Sequence, residues 1–238
     1  MERNIGGIAI PTAWENPVNN SNVPKIAICV PYIGKWEPEW VDRTYGPLKY
    51  VPTNWCTKII FLSKVQSLAV ARDILVSQAL QLDCDYVFFL DTDMVFEYPT
   101  DPNSALNILY RVINKEKSNK DGKIVSALYR AKQKTGFSYA IWQKASVSGF
   151  IPVQQWTGNW LDVDTAGLGC CLIDTTVFKD IERPWFRWEL KDEISEDFYF
   201  YRLAKKSGYN LHVYTDVRLS HLGMLKVLST GEIVTPEM

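Results

Sequence analysis

The stretch CDYVFFLDTDMVFEY, from Cys84 to Tyr98, decides how the rest of the chain is interpreted. Five apolar or aromatic residues lead into Asp91 and Asp93, which are separated by one threonine. Such a run predicts a buried strand with both carboxylates at its carboxyl end. Two carboxylates this close repel each other unless a cation or a proton lies between them. Because Mg²⁺ and Mn²⁺ prefer hard oxygen ligands, the pair suggests a site for one of these ions.

The flanking sequence alternates between strand-like and helix-like patterns. Apolar runs predict strands at residues 25–31, 58–63, 86–90, 123–129, 163–174 and 209–216. Helical spacing and end signals predict helices at residues 68–82, 103–117, 175–181 and 195–208, the last with Ser195 as N-cap. Residues 130–163 show no regular pattern. This order predicts an α/β fold: a single-domain three-layer sandwich with a mostly parallel central sheet, whose ligand lies beyond the carboxyl ends of the strands.

The composition fits one globular domain. The chain has 238 residues, of which 47% are apolar and 22% charged, and its net charge is −1. A charge so close to zero gives no reason to expect a nucleic-acid partner. We expect an N-terminal arm at residues 1–24, a main domain at residues 25–223 and a C-terminal tail at residues 224–238. Within the domain, we expect a nucleotide-binding half at residues 25–98 and a second half at residues 99–223, which would be the acceptor half.

The cysteines and the hydropathy pattern bear on the location of the protein. Five cysteines form no CxxC pair, and Cys170 and Cys171 are adjacent within an apolar run. We interpret all five as reduced core residues, which favours a cytoplasmic protein. The N-terminus lacks the pattern of a signal peptide, and no stretch approaches the roughly 20 apolar residues that span a bilayer. Attachment to a membrane surface stays open.

Two chemistries compete for the aspartate pair. In the first, Asp91 and Asp93 bind a divalent cation together with a nucleoside diphosphate. In the second, the stretch matches a phosphatase-type D-x-D-x-V pattern, in which Asp91 would be the phosphoryl-accepting nucleophile and Asp93 a general acid. The phosphatase superfamily usually carries this motif on its first strand and adds a late GD or DD pair. Here the motif follows two strands and a helix, and neither dipeptide occurs.

Several segments together resemble the A-fold glycosyltransferases, especially glycosyltransferase family 2 and its phage-like and archaeal relatives. They occur in the order of that family and cover most of residues 25–223. The segments are ICVPYIG at residues 28–34, AVARDILVSQAL at 69–80, DYVFFLDTDM at 85–94, VDTAGLGCCLIDTTVF at 163–178, PWFRWE at 184–189 and SEDFYFYRLAKKSGYNLHVYTDVRLSHLG at 195–223.

The resemblance implies a set of residues that bind the donor. A tyrosine ring can stack on the nucleobase, an arginine can bind phosphate, an aspartate can bind ribose or base, and glycines allow a close approach of the backbone. The residues at the matching positions are Pro31, Tyr32, Arg72, Asp73, Asp91, Gly167 and Gly169.

The resemblance also implies a metal site and a catalytic base. Asp91 and Asp93 would bind Mn²⁺ or Mg²⁺, and His221, which follows the last strand, would be a third ligand. Asp197 would remove the proton from the acceptor hydroxyl, with Glu196 in support. The competing interpretation is that both carboxylates only favour the positive end of a helix.

The resemblance therefore implies a metal-dependent glycosyltransferase. Its donor would be a nucleoside-diphosphate sugar such as a UDP- or GDP-sugar, its acceptor a hydroxyl of a glycan, protein or lipid, and the transfer would invert the anomeric carbon. Three alternatives stay open: a D-x-D-x-V phosphatase, a sugar-phosphate nucleotidyltransferase, and a non-catalytic protein that binds nucleotide or carbohydrate. An acceptor platform could come from four tryptophans, which are Trp156, Trp160, Trp185 and Trp188. Four basic residues are weaker candidates for phosphate contacts: Lys58, Lys64, Arg130 and Lys132.

Overall fold

The chain folds into an α/β structure built on one large mixed sheet. The computed structural model describes residues 4–5, 8–9, 23–32, 36–50, 54–64, 67–97, 100–115, 120–131, 138–146, 149–189, 194–222, 226–227 and 233–234. The strands are β1 (Asn4–Ile5), β2 (Ile8–Ala9), β3 (Lys25–Tyr32), β4 (Thr57–Lys64), β5 (Tyr86–Leu90), β6 (Met94–Phe96), β7 (Ile124–Tyr129), β8 (Ile141–Lys144), β9 (Phe150–Pro152), β10 (Trp160–Val163), β11 (Thr165–Ala166), β12 (Cys170–Asp174), β13 (Leu211–His221), β14 (Lys226–Val227) and β15 (Ile233–Val234). The helices are α1 (Pro38–Trp40), a π-helical turn (Val41–Tyr45), α2 (Gly46–Tyr50), α3 (Leu68–Gln81), α4 (Pro102–Lys115), α5 (Thr176–Asp180) and α6 (Glu196–Lys206).

The large sheet contains both parallel and antiparallel neighbours. Its strand order is β15-β14-β13-β7-β12-β5-β3-β4, and β6 and β10 also pair with β13. Strands β4, β3 and β5 are parallel to one another, and β13 is parallel to β7. Strand β12 lies antiparallel between β5 and β7. The expectation of a mostly parallel sheet is therefore not confirmed, because β12 enters the sheet from a loop and not from a helical crossover.

Most predicted elements are present, and the differences have local causes. The single strand expected at residues 163–174 is divided between β10, β11 and β12, with one break at Asp164 and a second at residues 167–169, which include Gly167 and Gly169. The region at residues 130–163, expected to be irregular, contains β8, β9 and β10. The last strand runs on to His221 instead of ending at residue 216, because buried and exposed residues continue to alternate along it.

The two terminal segments also contain strands. In the expected arm, β1 and β2 pair with each other. In the expected tail, β14 pairs with β13 and β15 pairs with β14, so this part of the chain extends the large sheet. Other residues of these segments lie outside the described residues.

Helices cover both faces of the sheet. On one face, a buried apolar cluster joins alternate residues of β3, β5 and β12 to α3, α5 and α6. On the other face, a second cluster joins the remaining residues of these strands to Trp40, Leu48 and α4. Strand β5 is buried on both faces, which explains why its sequence is apolar without alternation. All five cysteines are buried and free, as the sequence predicts.

The helices are short. Within the described ranges, no helix is long and apolar enough to cross a membrane.

A core substitution in β12 tests the importance of this strand. Leu172 is 0% exposed and pairs with residues of both β5 and β7. We expect Leu172→Ala to lower the free energy of unfolding in urea by about 2–5 kcal/mol, because it leaves a cavity in the buried cluster that β12 shares with β3, β5 and α4. Leu62→Ala is the matched control, since Leu62 is 40% exposed on the outer strand β4, and it should cost much less. Equal costs for the two variants would contradict the central position of β12.

Candidate active site

The carboxyl end of β5 brings an aspartate close to a histidine from the far end of the chain. Asp91 and Asp93 follow β5, and the chain then enters β6, which pairs with the last residues of β13. This pairing places Nε2 of His221 at 3.2 Å from Oδ2 of Asp93. The backbone N–H of Leu222 also donates to the carbonyl of Asp93 at 2.7 Å. The end of β13 is therefore held directly against the aspartate pair.

The other ring nitrogen of His221 fixes how the imidazole faces Asp93. Nδ1 lies 2.9 Å from the carbonyl oxygen of Arg130, which can only accept a hydrogen bond, so Nδ1 carries a proton. In the neutral imidazole, Nε2 then turns a lone pair towards a carboxylate. Two acceptors at this distance require a proton or a cation between them. A backbone carbonyl behind the ring is also the usual partner of a metal-binding histidine.

Two of the three expected metal ligands come together. Asp93 and His221 contact each other, whereas the carboxylate of Asp91 is bound by Arg72. Within the described part of the chain, no group of three or more histidine, cysteine, aspartate or glutamate side chains is arranged to hold a metal ion. The arrangement thus provides an oxygen and a nitrogen donor, with Asp91 as a neighbouring carboxylate.

Arg72 is a buried cation that pairs with carboxylates of the protein. It is 1% exposed, and its guanidinium lies 4.9 Å from the centre of the Phe89 ring. Nη2 lies 3.0 Å from Oδ1 and 2.9 Å from Oδ2 of Asp91. Burial alone would lower the pKa of Arg72, but Asp91 and Glu196 raise it above its usual value. The arginine is therefore a fixed positive charge beneath the site.

The first turn of α6 carries two carboxylates in different surroundings. Glu196 is 4% exposed, and its Oε1 lies 3.6 Å from Nε of Arg72. Asp197 is half-buried, and its Oδ1 accepts hydrogen bonds from the hydroxyl of Ser195 and from the backbone N–H of Phe198. The Ser195 side chain thus binds a carboxylate and makes no N-cap hydrogen bond to the helix backbone.

Both carboxylates of α6 are harder to ionise than free ones. Burial raises the pKa of Glu196, and the positive charge of Arg72 opposes the rise. Burial also raises the pKa of Asp197, although the hydrogen bonds from Ser195 and Phe198 act to lower it. A carboxylate with a raised pKa accepts a proton more readily. Of the two, Asp197 is the more accessible, so it is the better candidate for a base.

Packing accounts for the two glycines in front of β12. A Cβ on Gly167 would lie 2.0 Å from the hydroxyl oxygen of Tyr129, and one on Gly169 would lie 2.9 Å from Cε of Met94. The backbone N–H of Gly169 donates to the Tyr129 hydroxyl at 2.9 Å. The expected close approach is therefore made by protein side chains. Tyr129 in turn places its ring edge against His221, with 5.7 Å between ring centroids.

The other predicted donor residues lie in packing contacts. Asp73 accepts a hydrogen bond from the backbone N–H of Trp185 at 3.1 Å, and burial raises the pKa of its carboxyl group. Its carboxylate therefore holds the loop before α6 and is not directed to the aspartate pair. Pro31 and Tyr32 end β3 beside β4, and the half-buried Tyr32 ring lies edge-on against Trp36 at 5.7 Å.

Three of the four candidate platform tryptophans pack against protein. Trp156 lies edge-on against Tyr139, and Trp160 stacks on His212. Trp185 is buried and donates its indole N–H to the carbonyl of Phe178. Trp188 is 50% exposed and keeps an accessible face.

The basic candidates are also used by the fold where they are described. Lys58 donates to the carbonyl of Leu48 at 2.9 Å and to Oδ1 of Asn103 at 2.8 Å. The guanidinium of Arg130 lies 3.8 Å from the centre of the Tyr139 ring. Lys64 ends the outer strand β4 and is exposed, and Lys132 lies outside the described residues.

The sequence did not single out Tyr129, and it named Arg130 only for its side chain. Tyr129 supports Gly169 and His221, and the carbonyl of Arg130 orients the imidazole. Tyr129 is the last residue of β7 and Arg130 follows it, and this end of β7 lies beside β12 and β13 on the same side of the sheet as Asp91. Their position at a strand end was a usable signal, but a backbone carbonyl leaves no trace in the residue type.

The comparisons with known proteins concern the fold. Neither a protein-family model nor a curated protein matches the chain. Chains of solved structures do match, 132 in all. One of them is the crystal structure of A197 from STIV, which aligns with a TM-score of 0.64 and 20% sequence identity, over 90% of this chain and 95% of that one. At this identity the similarity describes a shared architecture.

The contact between Gly167 and Tyr129 predicts a specific rescue. Gly167→Ala should lower the free energy of unfolding by about 1–3 kcal/mol, because the new methyl group overlaps the Tyr129 hydroxyl. Tyr129→Phe alone should cost about 1 kcal/mol through loss of the hydrogen bond from Gly169. In the double variant the overlap with the hydroxyl is gone, so the combined cost should be smaller than the sum. Strict additivity in urea unfolding would show that the two residues do not interact.

The raised pKa of Asp197 predicts that this residue destabilises the protein at neutral pH. Between its unfolded and folded pKa values the folded state binds more protons, so stability falls as the pH rises through this window. Asp197→Asn should therefore raise the free energy of unfolding at pH 7, and the gain should shrink at pH 5. Asp42→Asn, at an exposed position, is the control and should change little at either pH. A loss of stability in Asp197→Asn at both values would contradict the prediction.

Proposed function

We propose that this α/β chain is a metal-dependent glycosyltransferase with an A-type fold, which moves a sugar from a nucleoside-diphosphate sugar to an acceptor hydroxyl with inversion. One observation carries the proposal. Asp91, Asp93 and His221 form what we call the sheet edge, the site beyond the carboxyl end of β5. Its Asp93–His221 pair is connected through Asp91, Arg72 and Glu196 to the helix turn that holds Asp197. A site for a charged donor and a candidate base thus belong to one continuous arrangement.

The donors at the sheet edge suit a divalent cation. Nε2 of His221 and the carboxylate of Asp93 face each other, and a divalent cation bound by both would take the place of a proton between them. Asp93 and His221 would hold Mn²⁺ or Mg²⁺, with Asp91 beside them. Such an ion, when bound, neutralises the charge that develops on the departing nucleoside diphosphate.

Asp197 would act as the base. As the acceptor hydroxyl attacks the anomeric carbon, its proton passes to the Asp197 carboxylate. The bond between the sugar and the diphosphate breaks on the opposite side, and the diphosphate leaves with the electron pair. This single displacement inverts the anomeric carbon. Glu196 is less suited to the task because it is buried and directed at Arg72.

The phosphatase alternative receives less support from the same contacts. A D-x-D-x-V phosphatase needs an unhindered Asp91 oxygen as nucleophile. Both Asp91 oxygens accept hydrogen bonds from Nη2 of Arg72, which reduces their nucleophilicity.

We further propose that the donor is a UDP- or GDP-sugar, that the acceptor is a hydroxyl of a glycan, protein or lipid, and that the reaction takes place in the cytoplasm.

Release of free nucleoside diphosphate tests this function. The protein is incubated with Mn²⁺ and a panel of UDP-, GDP- and TDP-sugars, with and without candidate acceptors. We expect slow release from one donor, and a loss of at least about 10–100-fold in Asp93→Ala, because loss of even a hydrogen-bond partner behind a metal ligand costs about that much. Asp197→Asn should reduce turnover by at least as much while donor affinity in calorimetry stays within about threefold. Asp42→Asn is the control and should behave as wild type.

Three results would oppose the proposal. Turnover of a generic phosphoester, with no effect of any nucleotide sugar on the melting temperature, would indicate a phosphatase. Formation of a nucleotide sugar from a sugar phosphate and a nucleoside triphosphate would indicate a nucleotidyltransferase. Binding of a nucleotide sugar without hydrolysis or transfer, even with acceptors present, would indicate a binding protein.

A further inference from the structure

Arg72 lies between the two halves of the candidate site. It projects from α3 and reaches Asp91 after β5 with one nitrogen and Glu196 on α6 with another. The guanidinium is almost completely removed from water, so neither contact is weakened by solvent. One buried positive charge is thus shared between a carboxylate of the sheet edge and a carboxylate of the helix that carries Asp197.

The two contacts of Arg72 are unequal. Nη2 donates to both oxygens of Asp91 at 2.9–3.0 Å. Nε lies 3.6 Å from Oε1 of Glu196, which is an ion pair but too long for a good hydrogen bond. In the part of the chain that the structure describes, Nε and Nη1 are buried without a hydrogen-bond partner. Arg72 therefore has donors that Glu196 could use after a shift of a few tenths of an ångström.

A ligand at the sheet edge changes the balance between these contacts. A divalent cation that binds together with a nucleoside diphosphate competes with Arg72 for the negative charge of Asp91. A buried guanidinium that loses its partner costs several kcal/mol unless another anion replaces it. Glu196 is already at 3.6 Å and needs to move least.

We propose that Arg72 is a positioning residue that couples occupancy of the sheet edge to the order of the first turn of α6. When the edge is occupied, the pairing of Arg72 moves from Asp91 towards Glu196, and Nε donates a full hydrogen bond to this carboxylate. The first turn of α6 becomes fixed, and with it Asp197. The inference rests on the proposed function, and it gives an order of events: the base is in place only after the donor has bound.

Hydrogen exchange of the α6 amides tests the coupling directly. The probes are UDP and GDP, each with Mn²⁺, and their binding is measured by calorimetry in parallel. The reporter amides are those of residues 199–201, since Tyr199 makes the first backbone hydrogen bond of the helix, to the carbonyl of Ser195. We expect the nucleotide that binds to slow their exchange by about tenfold in the wild type, within the usual range of coupling between sites.

Three variants distinguish coupling through Arg72 from a general stabilisation of the protein by bound nucleotide. In Arg72→Lys the charge remains but one ammonium cannot serve both carboxylates, and in Glu196→Gln the second anion is gone. Both should bind nucleotide and show less than a twofold change in exchange. Glu189→Gln is the matched control, because the carboxylate of Glu189 pairs with a different arginine, Arg202 of α6, at 2.7 Å. It should keep the tenfold effect.

The failures of the two proposals are distinguishable. If nucleotide binds to the wild type and the exchange of residues 199–201 does not change, the coupling is wrong and the proposed function stands. If nucleotide still slows the exchange of these amides about tenfold in Glu196→Gln, the proposed coupling through Arg72 is likewise overturned. If neither nucleotide binds in the presence of Mn²⁺, both the coupling and the proposed function are overturned.

Discussion

The buried positive charge of Arg72 is the constraint around which the candidate site is arranged. A guanidinium with no access to water must be matched by anions, and the chain supplies them from two distant segments, at Asp91 and Glu196. Removing the arginine would leave both carboxylates without their counter-charge, and loss of one partner of a buried ion pair typically costs about 3–5 kcal/mol. The ends of β5 and α6 are therefore held together by electrostatics as well as by packing. Because α3 carries the arginine, three elements meet at one point.

This constraint divides the Asp-x-Asp pair into two different residues. Asp91 faces inwards and balances Arg72, while Asp93 faces His221 at the end of β13. A motif that appears symmetrical in sequence is thus asymmetrical in space. The raised pKa of Glu196 and of Asp197 follows from the same design, because burial that strengthens the ion pairs also penalises ionisation of the carboxylates around them.

The sequence predicted what depends on local pattern and missed what depends on distant partners. The apolar run of β5, the helical spacing of α3 and the start of α6 behind Ser195 were all recognisable. Periodicity cannot reveal which charge faces Arg72, because its partners lie far along the chain. In the same way, Gly167 indicated a close approach, but only the position of Tyr129 shows that a phenol makes it. The direction of β12 was missed because a short apolar run looks the same in either orientation.

The antiparallel direction of β12 determines which residues meet at the candidate site. Cys170 at the start of β12 pairs with Leu90 at the end of β5, so Gly169 lies beside Asp91, and the N–H of Asp91 donates to the Gly169 carbonyl at 2.9 Å. A parallel strand in this position would begin at the opposite edge and leave Asp91 without this neighbour. The loop before β12, the tyrosine that supports it and the histidine beyond all meet at the aspartate edge because this one strand is reversed. The mixed sheet is therefore what assembles the site, and a uniformly parallel sheet with the same residues would not.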